Sequence, residues 1–152
     1  MKKETIVLGL GNVLMGDEGI GVRIVEKLES VCGRYPETDF VDAGTGGMNV
    51  LHLMAGRKKA VIVDCCVMGA EAGTMRRFGV EDVATVKQLS HLSLHEVDIL
   101  KVVEIARRVG ECPEEIVFFG VEPVAIEPRI DLSEVLERRL GGYVEQVGEI
   151  LR

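Results

Sequence analysis

Residues 5–12 read TIVLGLGN and predict the first strand of this chain and the turn that ends it. The first six of these residues, Thr5–Leu10, are nearly all apolar, as in a β-strand that is covered on both faces. The run ends in Gly11-Asn12, a dipeptide typical of a turn. From Asp17 onward, apolar residues recur at the three- and four-residue spacing of an amphipathic helix. A buried strand followed by a helix predicts the first unit of an α/β fold.

The same alternation continues along the chain. Four further strands are predicted, at Asp39–Asp42, Lys59–Asp64, Thr74–Phe78 and Ile116–Val121. The fourth strand, Thr74–Phe78, is polar and alternates poorly, which favours an edge position. Three more helices are predicted: a short one at Val50–Met54, one that begins with the capping box Ser93–Glu96, and a final one capped by Asp131. Alternating strands and helices predict an α/β domain with a largely parallel sheet between helix layers.

Length and charge narrow the class of protein. The 152 residues, 47% of them hydrophobic, predict one compact domain over residues 1–152. A net charge of −7 disfavours nucleic acid and acidic membrane surfaces as partners. Lys2 and Lys3 are similar to the start of a signal peptide, but polar and acidic residues interrupt the apolar run that should follow. We therefore expect a soluble cytoplasmic protein with no nucleic-acid or membrane partner.

The four cysteines, Cys32, Cys65, Cys66 and Cys112, show no spacing typical of a metal site. Two thiolates presented to one metal usually come from a C-x-x-C pair, and the chain has none. We expect these cysteines to act as small buried hydrophobic residues.

Candidate functional residues follow the predicted strands. In open α/β sheets, ligands bind outside the carboxyl ends of the strands, where helix N-termini point inward. Asp17 and Glu18 follow the first strand, Asp42 ends the second, Asp64 ends the third, and His95 begins a later helix. These four acids and one histidine are expected at one edge of the sheet.

Glu18 has an ordinary explanation beside the functional one. Acids are common in the first turn of a helix, where the helix dipole stabilises them by about 0.3–1 kcal/mol. The glycines Gly16, Gly19 and Gly21 point beyond that explanation, since glycine inside a helix costs roughly 1 kcal/mol. They indicate that something approaches closely there, either a ligand or a packed strand.

Asp64 carries a stronger expectation of function, whereas a lone histidine such as His95 is more often a surface residue of a capping turn than a ligand. An acid that closes an apolar strand is often catalytic or metal-binding, although it also caps turns. A histidine near a helix N-terminus is kept neutral, which is the state that binds a metal. His91 and His52 are the weaker histidine candidates.

Two competing site types fit the sequence less well. Gly9-Leu10-Gly11 resembles the start of a dinucleotide-binding loop, but the third glycine is Gly16. The adjacent acids would place negative charge where a pyrophosphate binds. Nucleophilic catalysis has no serine in a nucleophile-elbow context, and Cys65 or Cys66 would need a nearby histidine that the sequence does not place.

Five segments together resemble the hydrogenase maturation proteases. They are the opening signature Gly9–Gly21, the loop Asp42–Gly47, the acid-terminated strand Ile62–Asp64, the histidine motif Ser93–Glu96 and the late turn Gly120–Pro123. Order and spacing hold from about residue 5 to about residue 125. Ala43 stands where the family usually has a second glycine.

The resemblance implies both a fold and an activity. It implies a three-layer α/β/α sandwich whose five-stranded sheet is mostly parallel, with one antiparallel strand near Met75. Members of the family are endopeptidases that remove a C-terminal extension from nickel-loaded precursors of the hydrogenase large subunit. Matched residue by residue, Glu18, Asp64 and His95 take the positions of the metal-contacting triad. The nickel is expected to arrive with the substrate, and other divalent cations are expected to substitute in vitro.

Two mechanisms stay open at this point. Either nickel polarises the scissile carbonyl or an attacking water, or it only positions the tail while Asp17, Asp42 or another carboxylate acts as general base. The candidate catalytic acids are therefore Asp17, Glu18, Asp42 and Asp64. The alternative function is a non-enzymatic metal-sensing or nucleotide-binding α/β module.

Overall fold

The computed structural model describes residues 2–82 and 94–152, with the side chains of the second stretch described from residue 99. Within these residues, one sheet contains the strands β1 (Thr5–Leu10), β2 (Thr38–Gly44), β3 (Lys59–Cys65), β4 (Met75–Phe78) and β5 (Glu115–Val121). Their order in the sheet is β2-β1-β3-β5-β4. The pairs β1–β2, β1–β3 and β3–β5 are parallel, and β4 pairs antiparallel with β5 at the edge.

The helices connect these strands across both faces of the sheet. They are α1 (Ile20–Glu29), α2 (Met48–Met54), α3 (Leu94–Arg108) and α4 (Glu134–Glu149). Short 3-10 turns occupy Asp17–Gly19 and Cys32–Arg34. Within the described ranges, no helix combines the length and apolar character that crossing a membrane requires.

Two hydrophobic cores lie on opposite faces of the sheet, because successive strand residues point to opposite sides. Val7, Val61 and Val117 pack with α1 and α4 in the first core. Their neighbours along each strand, such as Leu8 and Ile62, pack with α2 and α3 in the second. The apolar character of β1 and β3 follows from this double coverage. The predicted α/β/α sandwich with one antiparallel edge strand is confirmed.

Two helix starts differ from those predicted. The first α-helix begins at Ile20, and the acids before it belong to a 3-10 turn, Asp17–Gly19. The last helix is capped by Ser133, whose Oγ accepts a hydrogen bond of 3.4 Å from the amide of Leu136. Asp131, predicted as the cap, lies two residues too early to make that bond.

The structure also shows the surroundings of Ala43 and of the four cysteines. Ala43 lies inside β2 with its side chain in the second core, and no residue other than glycine has a positive φ among those described. The missing glycine therefore strains nothing at this position. The prediction of buried cysteines is confirmed for Cys65 and Cys66, whereas Cys112 is half-buried and Cys32 is exposed.

Candidate active site

The carboxyl ends of β2, β1, β3 and β5 meet at one edge of the sheet. Gly9 of β1 lies level with Asp42 on one side and with Val63 on the other. Asp64 lies level with Gly120 of β5. Because neighbouring strands are about 4.8 Å apart, these ends form one continuous edge.

Glycines bring the 3-10 turn Asp17–Gly19 against this edge. A Cβ atom on Gly21 would lie 2.2 Å from the carbonyl oxygen of Val63, and one on Gly11 would lie 2.0 Å from that of Glu18. Both distances are impossible for a real side chain, so the turn packs directly on the ends of β1 and β3. The close approach inferred from the glycines is that of packed backbone, and it leaves no room beside Gly11 for a pyrophosphate.

The packing places Glu18 and Asp64 at the ends of neighbouring strands. The backbone of Glu18 lies against the end of β1, and its side chain is half-buried. Asp64 is 5% exposed, and its Oδ1 accepts a hydrogen bond of 2.8 Å from the amide of Cys65. The two acids that the sequence placed after the first and third strands therefore lie at adjacent positions of the edge.

Asp42 differs from Asp64 in exposure and in the face of the sheet it occupies. Its carboxylate is exposed, and its Oδ1 accepts a hydrogen bond of 2.8 Å from the amide of Gly44. Along β2, Asp42 alternates in step with Phe40, which packs in the first core. Asp64 alternates in step with Ile62, which packs in the second. The strand geometry thus aims these two acids toward opposite faces.

The three histidines fall in different places. His95 lies in the first turn of α3, which is 15 residues, or about 22 Å, long and whose other end leads into the start of β5. Its backbone therefore lies toward the carboxyl edge, on the face to which Asp64 points. His52 lies in the last turn of α2, near the amino ends of the strands, and is exposed. His91 lies outside the described residues.

The predicted metal-contacting triad stays a prediction. No group of three or more His, Cys, Asp or Glu side chains that could hold a metal ion occurs among the residues with described side chains. The side chain of His95 is outside that set, as are those of its helical neighbours up to residue 98. The backbone geometry is compatible with convergence of Glu18, Asp64 and His95, because all three positions belong to the same edge of the sheet.

Asp17 makes contacts of a structural kind. It is 1% exposed, and its Oδ1 accepts a hydrogen bond of 2.7 Å from the amide of Ser133. Its Oδ2 accepts from the amides of Val124 at 2.9 Å and Ala125 at 3.4 Å. Both oxygens thus hold the loop between β5 and α4. These contacts argue against a general base, which needs an oxygen available to the attacking water.

Glu122, which sequence reasoning did not single out, performs the same task for the loop that follows β3. It is 6% exposed, and its Oε1 accepts hydrogen bonds from the amides of Met68 at 2.7 Å and Ala70 at 2.9 Å. Tyr143 of α4 adds a hydrogen bond of 2.5 Å to the carbonyl oxygen of Gly73, and burial raises the pKa of its hydroxyl. The position of Glu122 directly after the buried strand β5 is the sequence signal that could have identified it.

The fold and this edge define the class of protein: an α/β/α sandwich with acidic residues gathered at the carboxyl end of its sheet. A family model described as hydrogenase maturation protease matches residues 22–150. The hydrogenase 2 maturation protease of Escherichia coli strain K12 is 39% identical over 151 residues, 97% of this chain and 90% of that protein. The chain belongs to the hydrogenase maturation protease family, and the predicted class of enzyme, a peptidase, is confirmed.

Solved structures agree with this assignment. The hydrogenase maturating endopeptidase HybD from Escherichia coli has a TM-score of 0.86 at 37% identity, covering 98% of this chain and 92% of that one. The hydrogenase 2 maturation peptidase of a Thaumarchaeota archaeon has a TM-score of 0.71 at 31% identity, with 98% of both chains covered. The five-stranded mixed sheet is therefore the fold of these relatives as well.

Proposed function

We propose that this protein is an endopeptidase that removes the C-terminal extension of a hydrogenase large-subunit precursor after nickel has been loaded, and that it recognises the bound metal. The observation that carries the proposal is the packing of the turn Asp17–Gly19 on the ends of β1 and β3. That packing sets Glu18 beside the strand end that carries Asp64. Family membership supports the substrate class, and relatives with full-length similarity are named for hydrogenase maturation.

Glu18, Asp64 and His95 are the proposed contacts to the substrate's nickel. Two carboxylates and one neutral imidazole offer oxygen and nitrogen ligands of borderline character, which suit a divalent transition metal. Three protein ligands leave coordination positions free for groups that the precursor already supplies. A permanently bound catalytic zinc would more typically be held by an H-E-x-x-H helix, and the sequence has none.

Asp42 is the proposed general base if the metal serves only to position the tail. Of the two acids considered for this role, Asp17 has both oxygens engaged by the loop it holds, whereas Asp42 is exposed. An exposed carboxylate is open to water, and Asp42 would act from the face of the sheet opposite to that of Asp64. Location in the cytoplasm, and the single domain over residues 1–152, stay predictions from the sequence.

Incubation of the purified protein with nickel-loaded and with metal-free precursor tests the proposal, with the precursor mass as the readout. We expect loss of the extension from the loaded precursor alone. Glu18→Ala and His95→Ala should each slow this cleavage roughly 100-fold, because each removes a proposed ligand to the metal. His52→Ala is the matched control, since His52 lies at the opposite edge, and His91→Ala should also cleave normally.

An unchanged mass with both forms of the precursor would remove the protease function for that pair of proteins. Loss of cleavage in His52→Ala together with full activity in His95→Ala would overturn the proposed ligand set. A rise in melting temperature with dinucleotides, and none with Ni²⁺, would favour the nucleotide-binding alternative.

A further inference from the structure

The segment between β5 and α4 is unusual because it is both firmly held and apolar on its outside. Residues 123–133 read PVAIEPRIDLS and contain two prolines, which restrict the backbone. Three large apolar side chains on it are exposed: Val124 by 49%, Ile126 by 43% and Ile130 by 66%. Leu14, which follows β1, is 62% exposed. We call these four residues the apolar platform.

Backbone hydrogen bonds join the two parts of the apolar platform. The amide of Gly16 donates to the carbonyl oxygen of Arg129 at 2.8 Å, and the amide of Arg129 donates to that of Leu14 at 3.1 Å. Arg23 of α1 adds a hydrogen bond of 3.2 Å to the carbonyl oxygen of Ile130. The segments therefore form one surface.

Asp17 fixes this surface relative to the proposed active site. Its carboxylate holds Val124, Ala125 and Ser133 through their amides, at both ends of the platform segment. Glu18 is the next residue of the same turn, so the platform and the proposed metal contact are parts of one hydrogen-bonded unit. A loop that only connected β5 to α4 would not need a buried carboxylate, such as that of Asp17, to accept hydrogen bonds from three of its amides.

Single exposed apolar residues are ordinary on protein surfaces, but a group of them on one rigid surface indicates an interaction site. The remaining exposed large apolar residues on the described surface also favour the carboxyl edge of the sheet. Met48 and Val67 also follow strands at the carboxyl edge, and Ile105 and Val109 alone belong to the end of α3.

We propose that the apolar platform is the docking surface for the folded body of the hydrogenase large-subunit precursor, an inference that rests on the proposed function. Because the platform segment and Glu18 belong to one hydrogen-bonded unit, a macromolecule that brings a metal to Glu18 comes within reach of the platform. A second copy of this chain seated there would block the approach to Glu18. Recognition of the folded body would also explain how a peptidase cleaves one protein at one bond without general proteolysis.

The test compares steady-state cleavage of nickel-loaded precursor by Leu14→Ser, Ile130→Ser and the double variant. Val109→Ser is the matched control, because Val109 is 60% exposed but lies beyond the end of α3, toward the amino ends of the strands. We expect each platform variant to raise KM roughly tenfold with kcat within about twofold of the original. The control should leave both constants unchanged.

Unchanged KM in all three platform variants would overturn the proposal, as would an equal rise in the Val109 variant. Sedimentation of the original protein and of the double variant decides the competing occupant: a dimer that the double variant converts to a monomer would make the platform a self-interface. If the original protein binds the precursor without cleaving it, the proposed function fails. Titration of fluorescently labelled precursor with the same variants then decides whether the platform is the docking surface.

Discussion

The two edges of the sheet use charge in opposite ways. At the amino edge, cations bind helix carbonyls: Lys2 Nζ donates to His52 and Ala55 at 2.8 Å each, and Lys59 Nζ donates to Ile150 at 2.6 Å. At the carboxyl edge, acids accept from loop amides, as Asp17 and Glu122 do.

The arrangement follows from the topology. In a parallel α/β unit, helix C-termini lie beside strand starts and helix N-termini beside strand ends. Cations are therefore stabilised at one edge and anions at the other. An acid at the carboxyl edge can therefore hold the fold together instead of serving catalysis, as the contacts of Asp17 show. Asp17 and Glu18 are adjacent in sequence, yet Asp17 is buried and holds a loop, whereas Glu18 is half-buried.

Replacement of Asp17 is expected to produce the largest change in stability. Asp17→Ala leaves three partly buried backbone amides without their charged acceptor, so the free energy of unfolding should fall by about 3–5 kcal/mol. Urea unfolding measures this loss. Glu18→Ala, at a half-buried neighbouring position, should cost less than about 1 kcal/mol. Equal losses in the two variants would erase the distinction between a loop-holding acid and a site acid.

Replacement of Arg57 tests the amino edge in the same way. Arg57 is buried, donates to the carbonyl oxygens of Leu53 at 3.1 Å and Lys3 at 3.0 Å, and forms an ion pair with Asp39. Arg57→Met should lower the free energy of unfolding by about 2–3 kcal/mol, because it leaves these groups unpaired. The kcat for precursor cleavage should stay unchanged, since the change lies at the edge opposite Glu18.

Lys58→Met is the control for this variant. Lys58 forms an exposed ion pair of 3.1 Å with Glu4, which should contribute less than about 0.5 kcal/mol. If Arg57→Met abolished cleavage while remaining folded, the two edges would not be functionally separate.

Acid titration of Asp39 gives the smallest expected effect. Burial alone would raise the pKa of Asp39, but the hydrogen bond from Arg57, the amide of Lys3 and the charge of Arg57 outweigh it and lower the pKa below its ordinary 3.8. A lowered folded-state pKa adds stability that is present above the unfolded-state value and is lost as the pH falls through the folded-state value.

The urea midpoint measured between about pH 5 and about pH 2 checks this contribution. It should fall more steeply toward acid in the original protein than in Asp39→Asn, which has no carboxyl group to titrate at that position. Glu4→Gln removes the exposed carboxylate that pairs with Lys58. The urea midpoint of this variant should fall toward acid as steeply as that of the original protein. Parallel curves for the original protein and Asp39→Asn would show that the ion pair with Arg57 does not add pH-dependent stability.

The order and type of the strands and helices follow from local patterns in the sequence. Thr5–Leu10 and Lys59–Cys65 read as buried strands because covered strands need apolar side chains on both faces. The helical spacing of apolar residues predicts α1 and α4, because one apolar stripe of each helix packs on the sheet. Local patterns also mark where strands end and helices begin. They therefore predict that Glu18, Asp64 and His95 occupy positions at the same edge of the sheet.

Which acids hold loops in place emerges from the tertiary structure alone. Asp17 accepts hydrogen bonds from amides that lie 107, 108 and 116 residues further along the chain. No local sequence pattern predicts hydrogen-bond partners at that separation. The reason for Gly21 likewise appears only when α1 lies against β1 and β3. Hydrogen bonds and close backbone contacts depend on atoms brought together in space, whereas strand and helix periodicity depends on neighbours in the chain.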